Sequence, residues 1–187
     1  MLKYKIGKIY NFQQKSYLEK EPALIADRHT EVSGVFVGSV LKDGGVYRMW
    51  YTAWSKNYNG SDDMAIGGYV EFGNCVDWRK PDLGIVEFDG NKNNNLCNPG
   101  GAVFIDPSSN SYRYRACGYG RPKRSSSVKR FSGDGYYTFH SSDGFIWETD
   151  SDYPRWPGTA GGHSCTIPVE GMKLQLYLLP MDSGYMI

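Results

Sequence analysis

An all-β fold assembled from a repeated antiparallel sheet is what this sequence predicts, and three observations carry the prediction. First, 15 Tyr, 8 Phe and 5 Trp stand beside 23 Gly, a mixture of cross-strand packing groups and turn formers that suits many short strands. Second, "VFVGSVLKDGGVYRMWYTAW" (35–54) alternates its side chains on both flanks of Asp43-Gly44-Gly45, as a hairpin does. Third, the same design returns between 63 and 69 residues later. A length of 187 residues fits one cooperative unit, 1–187, better than two independent domains.

The first hairpin places Tyr47, Met49 and Tyr51 on one face and Arg48, Trp50 and Thr52 on the other, because side chains alternate along a strand. "GYVEFGNCVDW" (68–78) supplies the next strand. "GAVFIDPSSNSYRYRACGYG" (101–120) then repeats the hairpin, with Asp106-Pro107 opening the turn and Tyr112-Arg113 expected in the place of Tyr47-Arg48. Gly38 and Gly101, Val40 and Val103, and Asp43 and Asp106 are each 63 apart. "YTFHSSDGFIW" (137–147) repeats 68–78, with Asn74 over Asp143, Val76 over Phe145 and Trp78 over Trp147, each 69 apart. The offset grows by six residues, which the loop "RPKRSSSVKRFSGDG" absorbs at little thermodynamic cost. A third, incomplete unit follows in "HSCTIPVEGMKLQLYLLPMDSGYMI".

Units of 60 to 70 residues, each with about four short strands, are the sequence pattern of propeller blades. The expected architecture is therefore a β-propeller of antiparallel four-stranded sheets, with about two and a half blades present, at roughly 33–90, 98–158 and 161–187. Within it, Ser142-Asp143-Gly144 reads as a turn and Trp147 as a residue packed between neighbouring blades.

Composition sets aside several function classes. Lys+Arg 21 against Asp+Glu 20 gives no global attraction for nucleic acid or an anionic membrane. The run "RPKRSSSVKR" has no interleaved aromatics for stacking bases, so it reads as a solvated loop. "MLKYKIGKIYNF" holds no signal-peptide core and no later stretch is long and apolar enough to span a bilayer. As written, the chain is expected in the cytoplasm; an N-terminal leader would make it secreted or periplasmic. Cys75, Cys97, Cys117 and Cys165 lie too far apart in sequence for a C-x-x-C zinc site and are expected as buried free thiols. No phosphate loop, H-E-x-x-H or G-x-S-x-G is present, and neither cofactor nor metal is expected. A neutral polar partner suits this balance best.

"YRMWYTAW", "IGGYVEFGNCVDWRKPDLGIVEFDG", "VFIDPSSNSYRYRA" and "SSDGFIWE" together resemble the five-bladed β-propeller glycoside hydrolases of the invertase, arabinanase and levansucrase type, over about residues 33 to 150. In that group a Tyr-Arg-x-Trp-Tyr hairpin precedes a Gly-Tyr-x-x-Ser-x-Asp-Gly-x-x-Trp strand and a Lys-Pro-x-Leu-Gly tail. The resemblance implies a glycan or oligosaccharide partner held in a pocket on the propeller axis, at the starts of the innermost strands. It also implies the function expected here, hydrolysis of a glycosidic bond at that pocket, which uses two carboxyl groups, one donating a proton and one acting as base or nucleophile.

The loops ahead of those strands supply the candidates. "ADRHTEVSG" offers Glu31 and Asp27 as catalytic carboxylates, with Arg28 and His29 as sugar ligands. "NNNLCNPGG" offers Asn98, and "GTAGGHSC" offers His163. Trp50 and Trp54 are candidates for stacking on a sugar ring, whose C–H face suits an aromatic surface; for Trp50, packing between sheets is the competing reading. Invertase-type members carry an Arg-Asp-Pro in the second blade and a Glu-Cys in the third. Here Ile105 precedes Asp106-Pro107 and Ser164 precedes Cys165, and Asp106 aligns with the turn residue Asp43. The alternative function is accordingly a non-catalytic carbohydrate-binding or assembly module, completed by self-association or by further blades.

Overall fold

The computed structural model describes residues 24–56, 65–73, 77–99, 102–120, 132–158, 164–169 and 172–178, the last two segments as backbone. The described chain is all-β with antiparallel sheets, broken only by a 3-10 turn at His29–Glu31. His163, the basic run 121–130 and Cys75 lie outside the described residues.

The first sheet has the order β1 (Gly34–Asp43), β2 (Val46–Trp54), β3 (Ala65–Phe72). Gly44 and Gly45, at φ +58° and +89°, make the β1–β2 turn, a left-handed pair that other residues adopt at a cost. A bulge between Val37 and Ser39 shifts the β1 register at Gly38. The second sheet joins β4 (Ala102–Ile105), β5 (Tyr114–Gly120) and β6 (Gly135–Ser141). β7 (Glu148–Thr149) and β8 (Trp156–Pro157) then pair with opposite ends of β6, together forming an interrupted fourth strand. In the first sheet the fourth position is reduced to single bridges, Glu71 with Arg79 and Gly68 with Leu96. A third hairpin, β9 (Ser164–Val169) with β10 (Met172–Leu178), follows.

Pairing registers correct one detail of the repeat. Arg48 faces Leu41 and Glu71, and its structural counterpart facing Phe104 and His140 is Arg115, not Arg113. "YRYR" offers two Tyr-Arg pairs, and alternation of sides cannot choose between positions two apart; the strand ladder selects Tyr114-Arg115.

The leading strands β1 and β4 lie against each other, as do β4 and β9. Ser39 Oγ accepts the Val103 N–H at 2.8 Å across the first of these junctions. Between the sheets Trp50, Tyr69, Cys97, Val103, Tyr114, Ala116, Tyr137, Phe139 and Trp147 form one core. A second core, Met49, Tyr51, Ala53, Val70 and Leu96, lies on the other face of the first sheet under the segment that follows β3. This is the face division expected for "YRMWYTAW". Cys97 and Cys117 are buried free thiols.

The "SSDG" turn works as the sequence suggests. Asp143 Oδ1 accepts the N–H groups of Phe145 and Ile146 at 2.8 and 2.9 Å, and Gly144 sits at φ +83°. The Gly144 carbonyl then accepts two indole N–H groups, from Trp50 at 2.9 Å and Trp147 at 3.0 Å. One turn thereby ties the first sheet to the second. Burial pushes the Asp143 carboxyl up, but the backbone N–H groups of Ile146 and Phe145 and the Ser141 hydroxyl outweigh it and hold it below the ordinary aspartate value.

Candidate functional site

The leading loop, residues 24–33, folds over the second-core face of the first sheet and carries four of the sequence-predicted residues. Glu31 is fully buried. Its Oε2 accepts the backbone N–H of Asp27 at 3.1 Å and of Arg28 at 3.3 Å, together with Lys80 Nζ at 2.6 Å. Its Oε1 accepts the Tyr51 hydroxyl. Tyr51 in turn receives Asn95 Nδ2 at 2.6 Å, and the same amide also donates to the Tyr69 carbonyl at 2.8 Å. A carboxylate with four donors and no exposed surface has the solvation that a buried charge requires. Burial, then the bonded Glu31 carboxylate, drives the Tyr51 phenol far above its ordinary value, so Tyr51 remains a proton donor toward Glu31 at all working pH.

Asp27 is exposed, and its carboxylate pairs with Lys80; that hydrogen bond is the main reason it is held below the ordinary aspartate value. Arg28 reaches away from the leading loop, to Asp82 at 3.0 Å and to the Lys80 carbonyl at 2.8 Å. His29 is exposed with its ring 5.6 Å from that of Phe88. The structure thus brings Asp27, Arg28 and Glu31 together around Lys80, a residue that sequence reasoning did not single out. Its signal was present in "KPDLG", the tail quoted for the resemblance, where the lysine stands before a proline that fixes the chain direction.

Trp50 and Trp54 lie on the opposite face, toward the second sheet. Trp50 is fully buried and bonded to the Gly144 carbonyl, so its indole is a packing element between the sheets. Trp54 is half-buried at the end of β2, beside Phe36, which is 45% exposed; the two rings are 6.3 Å apart and inclined at 40°. Phe36, Thr52 and Gly67 share one rung of the first sheet, and Asn98 Oδ1 accepts the Gly67 N–H at 3.3 Å. Asn98 thus stands about two strand spacings, roughly 10 Å, or more from Phe36. This is the end of the sheets where β1 and β4 begin. Phe36 was not anticipated from the sequence; its alternation with Val35 and its closeness to the loop before β1 were the available signal.

Asp106 is a turn residue. Its Oδ1 accepts the Ser108 hydroxyl at 2.6 Å and the Ser108 N–H at 3.0 Å, and these bonds hold its carboxyl below the ordinary value. Asp43, at the equivalent turn, accepts from Tyr114 and Arg113 and so joins the far ends of the two sheets. Among the described residues no group of three or more His, Cys, Asp or Glu is arranged to hold a metal ion. No helix among them is long and apolar enough to cross a membrane.

No family model matches the chain, and no solved structure does. Two curated proteins are similar to it: the uncharacterized protein Rv1502 of Mycobacterium tuberculosis strain ATCC 25618 / H37Rv, 25% identical over 146 residues, and the uncharacterized protein MT1551 of strain CDC 1551 / Oshkosh, 26% identical over 146 residues. Each match covers 74% of this chain and 44% of the relative, so the chain spans less than half the length of the curated relatives it matches.

Proposed function

We propose that this chain is part of a carbohydrate-recognising β-propeller protein of the five-bladed glycosidase type, and that it binds an oligosaccharide where β1 and β4 begin. The observation that carries the reading is the inclined Phe36–Trp54 pair, half open to solvent at the end of the first sheet. An aromatic surface takes the C–H face of a sugar, and an amide such as Asn98 suits its hydroxyls. Packing of β1 against β4 and of β4 against β9 is the neighbour order that blades around an axis would have, which supports the propeller reading.

Binding is favoured over hydrolysis for this portion of the protein. A catalytic carboxyl must reach the glycosidic oxygen or the attacking water. Glu31 is sealed on both oxygens, and Asp27 is committed to Lys80. Glu31 therefore serves as the anchor of the leading loop.

The reading is tested by titrating the protein against a panel of neutral oligosaccharides by calorimetry. A bound glycan should lose at least about tenfold in affinity, about 1.4 kcal/mol, in Trp54→Ala and in Phe36→Ala. Glu31→Gln should leave the affinity within about twofold. Sugar release by the wild-type protein that disappears in Glu31→Gln would instead establish hydrolysis, and no binding across the panel would end the carbohydrate reading.

A further inference from the structure

The Phe36–Trp54 pair has a geometry that selects among glycans. Its ring centroids are 6.3 Å apart and its ring planes are inclined at 40°. An aromatic face carries the negative side of the ring quadrupole, and a sugar uses it by lying parallel with its C–H bonds turned toward that face. One sugar ring can therefore lie parallel to Phe36 or to Trp54, and not to both. A chain whose successive residues share one plane meets the same limit: seated on one aromatic ring, it stands at 40° to the other.

The fold sets this inclination from the Trp54 side. Gly34 and Trp54 are cross-strand partners, and the six-membered part of the indole lies beside the Gly34 backbone, where a Cβ would stand 3.6 Å from Cε3 and 3.9 Å from Cζ3. The Ser33 N–H donates to the Trp54 carbonyl at 2.9 Å, and Ser33 Oγ donates to the Ser55 carbonyl at 2.7 Å. Both bonds hold the end of β2 against the start of β1. Phe36 is two residues beyond Gly34 along β1 and so projects from the same face. Trp54, half-buried, is the fixed member of the pair, and Phe36, 45% exposed, is the open one.

We infer that the site takes a soluble oligosaccharide of at least two residues whose linkage turns one sugar ring out of the plane of the next, one residue seated on Trp54 and its neighbour on Phe36. The inference rests on the carbohydrate reading and names the class of glycan within it. A turned linkage lets each residue lie parallel to its own aromatic ring, so both contacts contribute together. A flat chain or a monosaccharide keeps one contact and forfeits the other.

The test is calorimetric titration of the unaltered chain with two sets of neutral tetrasaccharides, so that the ligand rather than a substitution is varied. Cellotetraose and β-mannotetraose are the flat chains; maltotetraose, laminaritetraose and nystose are the turned ones; glucose, mannose and fructose are the monosaccharides. At least one turned chain should bind at least about tenfold more tightly than either flat chain and than its own monosaccharides. That preference should fall below about threefold both in Trp54→Ala and in Phe36→Ala, because either substitution leaves a single ring. Equal affinity for a flat chain or a monosaccharide, or a preference that survives one of the two substitutions, would overturn the two-ring span and leave the carbohydrate reading standing. Failure of every sugar in this set to bind would also overturn the span, and failure across the wider panel would end the carbohydrate reading with it.

Discussion

Replacing Lys80 with Met asks whether Glu31 is held as a buried, charge-paired anchor. Met keeps most of the apolar stem and removes only the ammonium group. The Glu31 side chain is 0% exposed and that of Lys80 8%, so the pair lies out of water. Removing one partner of such a pair costs about 3–5 kcal/mol, because the other charge stays buried and uncompensated. Two backbone N–H groups and the Tyr51 hydroxyl remain on Glu31, which places the expectation at the lower end, about 3 kcal/mol. Asp27, the second carboxylate on Lys80, is 63% exposed and adds at most about 1 kcal/mol. A domain has about 5–15 kcal/mol in total, so the loss is a large fraction of it. In urea unfolding followed by tryptophan fluorescence, the midpoint should fall by about 1–3 M. Adding Glu31→Gln to Lys80→Met removes the stranded charge and should restore about 2 kcal/mol, a coupling that separate sites do not show. A loss below about 1 kcal/mol in Lys80→Met, or a double variant equal to the sum of the singles, would refute the anchor.

A Cβ on Gly68 would overlap Tyr51 Cζ, and Tyr51 is pinned between Glu31 and Asn95, so Gly68→Ala should cost about 3 kcal/mol. Gly118→Ala, whose nearest contact is 3.6 Å, should cost less than about 1 kcal/mol, and equal shifts in a thermal scan would contradict the packing described. The Asp43 carboxyl is held below its ordinary value chiefly by the Tyr114 hydroxyl and by Arg113, against the effect of burial. Its contribution is complete above the unfolded value near pH 4 and is lost as pH falls through the lower folded value, so Asp43→Asn should flatten the acid limb of stability below about pH 4. Parallel limbs for the variant and the wild type would exclude Asp43 as a contributor. Trp50→Ala should cost about 3–5 kcal/mol, whereas Trp54→Ala should cost under about 2 kcal/mol; calorimetric stabilities in the reverse order would exchange the roles given to the two indoles.

Much of the fold was legible because antiparallel sheets with one face turned to each core impose a period of two. The face division of "YRMWYTAW" and the Asp43-Gly44-Gly45 and Asp143-Gly144 turns follow from side-chain alternation and turn chemistry. The Tyr-Arg counterpart was two residues out for the same reason, since alternation is blind to a shift of two. Four-stranded sheets were expected, and in the second sheet the fourth strand comes in two pieces, with Pro154 in the gap between them and Pro157 within the second; proline has no N–H to give a ladder.

The candidate site was less legible. Sequence placed Asp27, Arg28, His29 and Glu31 in one loop, and the resemblance directed them toward an axial pocket. Only the tertiary structure shows that this loop folds onto the outer face of the first sheet, where Lys80, 49 residues away, enters between two carboxylates. Local sequence thus determined the strands, the turns and the repeat, all of which arise from neighbours along the chain or across one ladder. Whether a carboxylate is a sealed anchor or an open acid depends on groups that folding alone brings within hydrogen-bond reach. For Glu31 that decision belonged to Tyr51 and Lys80.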